Sequence, residues 1–199
     1  ILATGSQYRE LGLPGESALV GKGVSWCATC DGFFFRDQPL AVVGGGDSAM
    51  EEALFLTKFA SKVYVIHRRD ELRASQIMAD RALANEKIEF IWNSTVTAIN
   101  GEAKVESIDI EDLVAGTVNT LDVNGVFIAI GSDPRTDLIK DQLDIDETDG
   151  TIVVQEPSTA TKIPGVFAAG DVVDGKYRQA ITAAGMGAKA AIDVEDYLG

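Results

Sequence analysis

Between Leu40 and Trp92 the chain repeats one pattern: a short apolar run, then a longer stretch of mixed polarity. Residues 40–43 and 63–66 are apolar, residues 88–92 are apolar apart from Glu89, and all three runs are rich in β-branched or aromatic residues and too short for helices, so each predicts a strand. The stretches between them predict helices over about residues 48–59 and 75–85. Strand, helix, strand, helix, strand in that order predicts a parallel, doubly wound sheet.

The pattern then changes. Residues 105–110 and 118–123 alternate apolar with polar positions, as a half-exposed antiparallel hairpin does. Residues 126–130 return to a fully buried strand, and Gly131-Ser132-Asp133-Pro134-Arg135 is a breaker cluster that reads as a linker. Beyond it, strands are expected at residues 152–154 and 166–168, the second closed by Gly170-Asp171, followed by a long helix over about residues 178–197. Residues 1–5 read as the end of a buried strand and its turn with nothing before it to pair with, which gives the expectation of a fragment. The chain has no internal repeat and no low-complexity segment.

Composition narrows the class. With 199 residues, 46% of them hydrophobic and 24% charged, the chain suits one or two folded units with a substantial core and not a disordered or fibrous protein. The 31 acidic residues outnumber the 17 Lys and Arg, for a formal net charge of -14. That balance argues against a general grip on nucleic acid or on an anionic membrane, and it makes any local basic cluster informative. No apolar run approaches the roughly 20 residues of a spanning helix, and the N-terminus lacks the features of a signal peptide, so a cytoplasmic location is expected.

The only two cysteines, Cys27 and Cys30, lie within Trp26-Cys27-Ala28-Thr29-Cys30-Asp31. So short a loop is a poor structural staple, because closing it removes little entropy from the unfolded chain. A structural zinc site would need four ligands, and the single histidine, His67, belongs to a different segment, so no metal is expected. A CxxC pair beside a βαβ pattern reads as redox-active. Such a pair needs an attacking thiolate, a leaving thiolate and a proton source, for which Asp31 is the nearest candidate. An Asx-type turn at Asp31-Gly32 is the alternative role for that carboxylate, and the two are compatible.

Downstream, Gly44-Gly45-Gly46-Asp47-Ser48-Ala49 fits GxGxxA. In that fingerprint the first glycine makes the tight turn, the second admits a pyrophosphate, and the small third residue lets helix and strand pack closely. A glycine turn at a strand end is otherwise only a turn; the strand before it and the helix after it favour the dinucleotide reading. About 20 positions on, an acid selects NAD and an arginine accommodates the 2′-phosphate of NADP. His67, Arg68 and Arg69 stand there, with Arg73 one turn further, which points to NADPH. The alternative is a set of solvated arginines bridging to Asp70 or Glu71.

Taken in order, Cys27-Ala28-Thr29-Cys30-Asp31-Gly32, the glycine turn, His67-Arg68-Arg69-Asp70 with Arg73, Gly165 through Asp171, and Arg178-Gln179-Ala180 resemble the low-molecular-weight thioredoxin reductases along the whole chain. The resemblance implies an α/β fold in which a Rossmann-like NADPH domain carrying the cysteine pair, residues 11–133, is inserted into a partial FAD-binding domain, residues 1–10 and 134–199, of the two-dinucleotide-binding-domain flavoprotein type. It implies a homodimer in which electrons pass from NADPH to FAD, to the dithiol and on to thioredoxin, with residues 131–134 as a hinge. By similarity Cys30 faces the flavin, Cys27 attacks thioredoxin and Asp31 is the acid. Gly44, Gly46, Asp47, Ser48, Ala49, His67, Arg68, Arg69, Arg73, Ile130 and Gly131 fall on the NADPH side, and Thr4, Gly5, Gly170, Asp171, Val172, Arg178, Gln179 and Ala180 on the flavin side. A second glycine fingerprint is not among these residues, so the expectation is a chain lacking its N-terminal FAD-binding segment and binding FAD poorly alone. Two further readings are a truncated NADPH-binding module and the flavoprotein arm of an alkyl hydroperoxide reductase, which would favour NADH against the basic segment.

Overall fold

The apolar runs pair much as their order suggests, but not always with the neighbours or over the lengths their periodicity implies. The computed structural model describes residues 1–139 and 141–199. In chain order its strands are β1 (Ser6–Tyr8), β2 (Val24–Ser25), β3 (Pro39–Val43), β4 (Lys62–Ile66), β5 (Ile88–Ile91), β6 (Ser94–Asn100), β7 (Ser107–Asp112), β8 (Val118–Asp122), β9 (Gly125–Ile128) and β10 (Ser132–Pro134). Its helices are α1 (Ala28–Asp31), α2 (Asp47–Leu56), α3 (Gln76–Leu83) and α4 (Ala180–Leu198). The residues divide into two units, one of Arg9–Gly131 and one of Ile1–Tyr8 with Ser132–Gly199.

The first unit is built on a parallel sheet of order β2-β9-β3-β4-β5. Its central strands are apolar at nearly every position, Lys62 at the start of β4 being the exception, because both faces are covered. Leu40, Val42, Val63 and Val65 pack with Ala49, Met50, Ala53 and Leu56 of α2 and Ala82 of α3, whereas Ala41, Val43 and Ile66 pack against Val96, Ile99, Ile108 and Ile110 of the antiparallel sheet β6-β7-β8. Each fully buried Leu, Val, Ile or Met contributes about 1.5 to 3 kcal/mol relative to exposure.

The elements end earlier than the periodicity suggests. After Leu56 the chain tightens, with Phe59 N–H and Ala60 N–H both on the Leu56 carbonyl and the Thr57 hydroxyl on that of Leu54. Strand β9 stops at Ile128, although Ala129 N–H still reaches the Val43 carbonyl, because Gly131 (φ 108°) turns the chain. Strand β6 was not foreseen. A bulge between Val96 and Ala98 shifts its register, so its buried residues Val96 and Ile99 stand three apart and break the period of two.

In the second unit the expected linker 131–135 is largely strand. β10 pairs antiparallel with β1, Ser6 opposite Pro134 and Tyr8 opposite Ser132, and the proline is tolerated because it terminates the ribbon. The strands expected at 152–154 and 166–168 reduce to isolated bridges, Ile145 with Ile152, Ala160 with Phe167 and Leu2 with Ala168. Gly165 (φ 80°) and Gly170 (φ 82°) turn the chain on either side of the second run before a ladder extends. Ile139, Leu143, Ile152, Ala168 and Val172 form this unit's core. Helix α4 begins at Ala180, two residues later than expected, because Gln179 and Thr182 form a reciprocal capping box. No helix among the described residues is long and apolar enough to cross a membrane.

Candidate functional site

Cys27 and Cys30 are joined as a disulfide across the single turn of α1, with their Cα atoms 5.3 Å apart. Cys27 is the residue before the helix, and the Cys30 N–H donates to its sulfur at 3.2 Å, a contact that favours negative charge there once the bond is reduced. Ser25, buried at the end of β2, links the pair to the acid. Its Oγ accepts from Cys27 N–H at 3.1 Å and donates to Asp31 Oδ2 at 2.6 Å. The amide can only donate and the carboxylate only accept, so the hydroxyl proton points to Asp31. Among the described residues Asp31 accepts no main-chain hydrogen bond, so an Asx turn is not what holds it. Cys27 and Asp31 are half-buried and Cys30 is exposed.

The glycine turn follows β3. Gly44 (φ 152°) passes so close to β9 and α2 that a Cβ there would lie 2.4 Å from the Ala129 carbonyl oxygen and 2.9 Å from the Ala49 methyl. At Gly46 a Cβ would meet nothing within 4 Å, so the space before α2 is open. The first bond of α2 runs from Met50 N–H to Gly46 O, which leaves the N–H groups of Asp47, Ser48 and Ala49 without a partner inside the helix. Open space before unpaired amides at a helix start is what an anionic pyrophosphate fits.

The basic loop after β4 folds back onto this turn. Arg73 N–H and Ala74 N–H both donate to the Gly45 carbonyl, at 2.7 and 3.1 Å, and the Ser75 N–H and hydroxyl both donate to Asp47 Oδ1 at 2.8 Å. Arg68, Arg69 and Arg73 are exposed, and among the described residues none of their guanidinium groups forms an ion pair, so the bridges to Asp70 or Glu71 are not made. His67 differs from them. Its side chain is buried, its ring lies against Gly45, and its Nε2–H donates to the Glu71 carbonyl at 3.0 Å. Burial holds its pKa below the ordinary 6.5, the Glu71 hydrogen bond opposes this, and the charges of Arg73, Arg69 and Arg68 add to it. The imidazole is therefore a neutral strut beneath the turn.

The carboxyl ends of four parallel strands carry these groups: Cys27 after β2, Gly44 after β3, His67 after β4, and Ile130 and Gly131 after β9. Chain order reverses between β9 and β3, the position where open parallel sheets bind ligands.

The flavin-side residues of the sequence reading lie in the second unit. Thr4 Oγ1 donates to the Arg135 carbonyl at 2.7 Å, and Arg135 N–H donates to the carbonyl of Gly5 (φ 74°) at 2.9 Å. Gly170 accepts from Val173 and Asp174 N–H, and a Cβ on it would lie 3.7 Å from the Ala183 methyl, close to the start of α4. Val172 is wholly buried, so its side chain belongs to the core and only its main chain is available. Asp171 is half-buried. Arg178, at φ 47°, donates to Ser132 Oγ, and Gln179 caps the helix that Ala180 begins.

Three features of these regions escaped the sequence reading. Asp174 is buried and accepts from the N–H groups of Lys176, Tyr177 and Arg178 and from the Thr182 hydroxyl, at 2.7 to 3.2 Å. Burial acts to raise its pKa, yet these donors together hold it below the usual value. The carboxylate thus organises the segment that presents residues 178–180. The second is Ser25. The third is an aromatic pair: Phe33 and Phe34 are 55% and 73% exposed, with ring centroids 6.1 Å apart and the Arg36 guanidinium 4.4 Å above Phe33. The run of three phenylalanines two residues after the CxxC was its sequence signal; only Phe35 turns inward, onto Phe127.

A disulfide and a glycine turn thus share the carboxyl edge of one parallel sheet. Residues 1–187 match the pyridine nucleotide-disulphide oxidoreductases, and the chain belongs to that family. Within it the similarity is to thioredoxin reductases. All of the chain aligns with the thioredoxin reductases of Streptomyces clavuligerus and Mycolicibacterium smegmatis, at 60% identity over 198 residues in each case. It covers 61% and 63% of those proteins. Among solved structures, thioredoxin reductase from Streptococcus pyogenes MGAS5005 superposes with a TM-score of 0.91 at 51% identity, over 98% of this chain and 64% of that one. The two-dinucleotide-binding-domain flavoprotein fold expected from the sequence is the fold of this chain.

Proposed function

We propose that this chain is the pyridine-nucleotide and disulfide part of a thioredoxin-disulfide reductase that takes electrons from NADPH and delivers them, through FAD, to thioredoxin. The observation that carries the reading is the shared edge: the Cys27–Cys30 disulfide, the glycine turn and three arginines with no ion pair among the described residues stand at the carboxyl end of one parallel sheet. On this reading residues 11–133 are the NADPH domain, and residues 1–10 and 134–199 belong to the FAD domain. The open space at Gly46 and the unpaired amides of Asp47, Ser48 and Ala49 fit the pyrophosphate of NADPH, and Arg68, Arg69 and Arg73 fit its 2′-phosphate. Thr4-Gly5, Gly170-Asp171-Val172 and the capped segment Arg178-Gln179-Ala180 are the chain's surfaces toward FAD.

Bound flavin supplies the two-electron link between a nicotinamide and the disulfide. The chain's own residues do the sulfur chemistry. Two electrons and two protons convert the Cys27–Cys30 bond to a dithiol. One thiolate then attacks the thioredoxin disulfide and expels a thiolate from it, and the second cysteine attacks the mixed disulfide and restores the intramolecular bond. Asp31, held by Ser25, moves the proton that each leaving thiolate requires. Phe33 and Phe34 give the partner an apolar footing beside Cys30, where one bulky aromatic pair contributes more to docking than several polar rim contacts. A homodimer in the cytoplasm is the setting that goes with this reading. The NADH-using arm of an alkyl hydroperoxide reductase is disfavoured by the basic loop.

The test supplies the complete enzyme that contains this chain with FAD, NADPH and oxidised thioredoxin and follows loss of nicotinamide absorbance. Cys27→Ser and Cys30→Ser are each expected to abolish thioredoxin reduction while NADPH oxidation by an artificial electron acceptor survives. Near wild-type thioredoxin reduction by either variant would overturn the redox assignment. NADPH binding with neither activity would leave only a nucleotide-binding module.

A further inference from the structure

Asp47 is chemically the wrong residue for direct contact with a pyrophosphate. It stands in the first turn of α2, and a carboxylate offers a pyrophosphate acceptor oxygens and like charge where a donor is needed. Its contacts point to a different role, since Oδ1 takes both the N–H and the hydroxyl of Ser75 at 2.8 Å. Directly beside this, the Gly45 carbonyl takes the N–H groups of Arg73 and Ala74. Residues 73, 74 and 75 are thereby stitched to residues 45 and 47, and the His67 ring under Gly45 holds the same loop at the Glu71 carbonyl. The stitched loop carries Arg68, Arg69 and Arg73, whose guanidinium groups form no ion pair among the described residues.

We propose that Asp47 and Ser75 form a latch that positions the arginine loop over the glycine turn, so that the Asp47 carboxylate is a specificity-determining positioning group for the 2′-phosphate of NADPH and not itself a contact of the cofactor. The inference rests on the nucleotide reading above and deepens it. With the latch closed, the loop is ordered before the nucleotide arrives. With it open, the 2′-phosphate itself must order residues 68–75, and that entropic cost falls on NADPH alone. NADH has no group that reaches the arginines, so its affinity is insulated from the latch.

The experiment measures dissociation constants of NADPH and NADH for the wild-type chain, Asp47→Ala, Asp47→Asn and Ser75→Ala. Asp47→Ala, which keeps the main-chain N–H, is expected to weaken NADPH about tenfold, close to the low end for a single hydrogen bond to a charged group, and to weaken NADH less than twofold. Asp47→Asn keeps an acceptor oxygen and should retain most of the discrimination, and Ser75→Ala, which keeps the amide donor, should fall between. A NADPH-to-NADH ratio within twofold of wild type in Asp47→Ala, or Asp47→Asn as impaired as Asp47→Ala, would overturn the latch. If the wild-type chain itself bound both nucleotides equally, the NADPH reading would fail instead.

Discussion

Gly45→Ala tests whether the glycine turn and the basic loop are one packed unit. Gly45 does not occupy the left-handed region, so alanine carries no backbone penalty and the whole effect is contact. A Cβ at this position would stand 2.2, 2.3 and 2.6 Å from three atoms of the His67 ring. Carbon atoms pack at about 3.5 Å or more, so the ring must retreat by over an ångström. It has little freedom to do so. His67 is only 6% exposed, its Nε2–H is held by the Glu71 carbonyl at 3.0 Å, and Trp92 stands edge-on to it at 6.3 Å. Overpacking of this kind costs about 1 to 3 kcal/mol, and loss of the Glu71 hydrogen bond adds about 1 kcal/mol. The expected destabilisation is therefore about 2 to 4 kcal/mol, or a fall in Tm on the order of 4 to 16 °C for a chain of this size. NADPH affinity should fall with it, because the Gly45 carbonyl holds Arg73 and Ala74. Thermal melting by circular dichroism, with Gly45→Ala, His67→Ala and the double variant, makes the test specific. The space left by the imidazole admits the new methyl, so the double variant should be more stable than the sum of the two single losses. A Tm for Gly45→Ala within about 1 °C of wild type would refute the packing argument, and strict additivity would refute the pairing with His67.

Two further outcomes follow from the site. Asp31→Asn should slow thiol–disulfide exchange by roughly 10² to 10⁴-fold with little change in Tm, whereas a variant that melts early but exchanges at the wild-type rate once folded would make Asp31 structural. His67, the only histidine, stays neutral in the folded chain at pH values where the unfolded chain takes up a proton. Stability should therefore be full above pH 6.5, the ordinary histidine value, and should fall as pH drops from there toward the depressed folded pKa. Denaturant unfolding across that window checks the sign, and a flat profile or a rise on acidification would refute it.

Local requirements are what the sequence by itself determined. Gly44 and Ala49 are legible because a turn squeezed between β9 and α2 excludes larger side chains, and the CxxC pair because two residues between cysteines suffice to bring the sulfurs together. The alternation of β3, α2, β4, α3 and β5 is legible because strands covered on both faces are dominated by apolar residues. Partners distant in the chain were decided only by the tertiary structure. Nothing in residues 6–8 announces that they pair with 132–134, so the ribbon of β1 and β10 reads as linker until the two segments meet. The runs at 152–154 and 166–168 have strand composition, yet a strand exists only where a neighbour continues the ladder, and theirs stop after one bridge. Strand β6 hid behind its bulge, since a register shift moves buried residues out of the period on which recognition depends. Side-chain roles followed the same division. Arginine type and spacing pointed to a phosphate, but whether His67 faces that phosphate or supports the turn beneath it depends on burial, and burial is a property of the packed chain and not of any short stretch of residues.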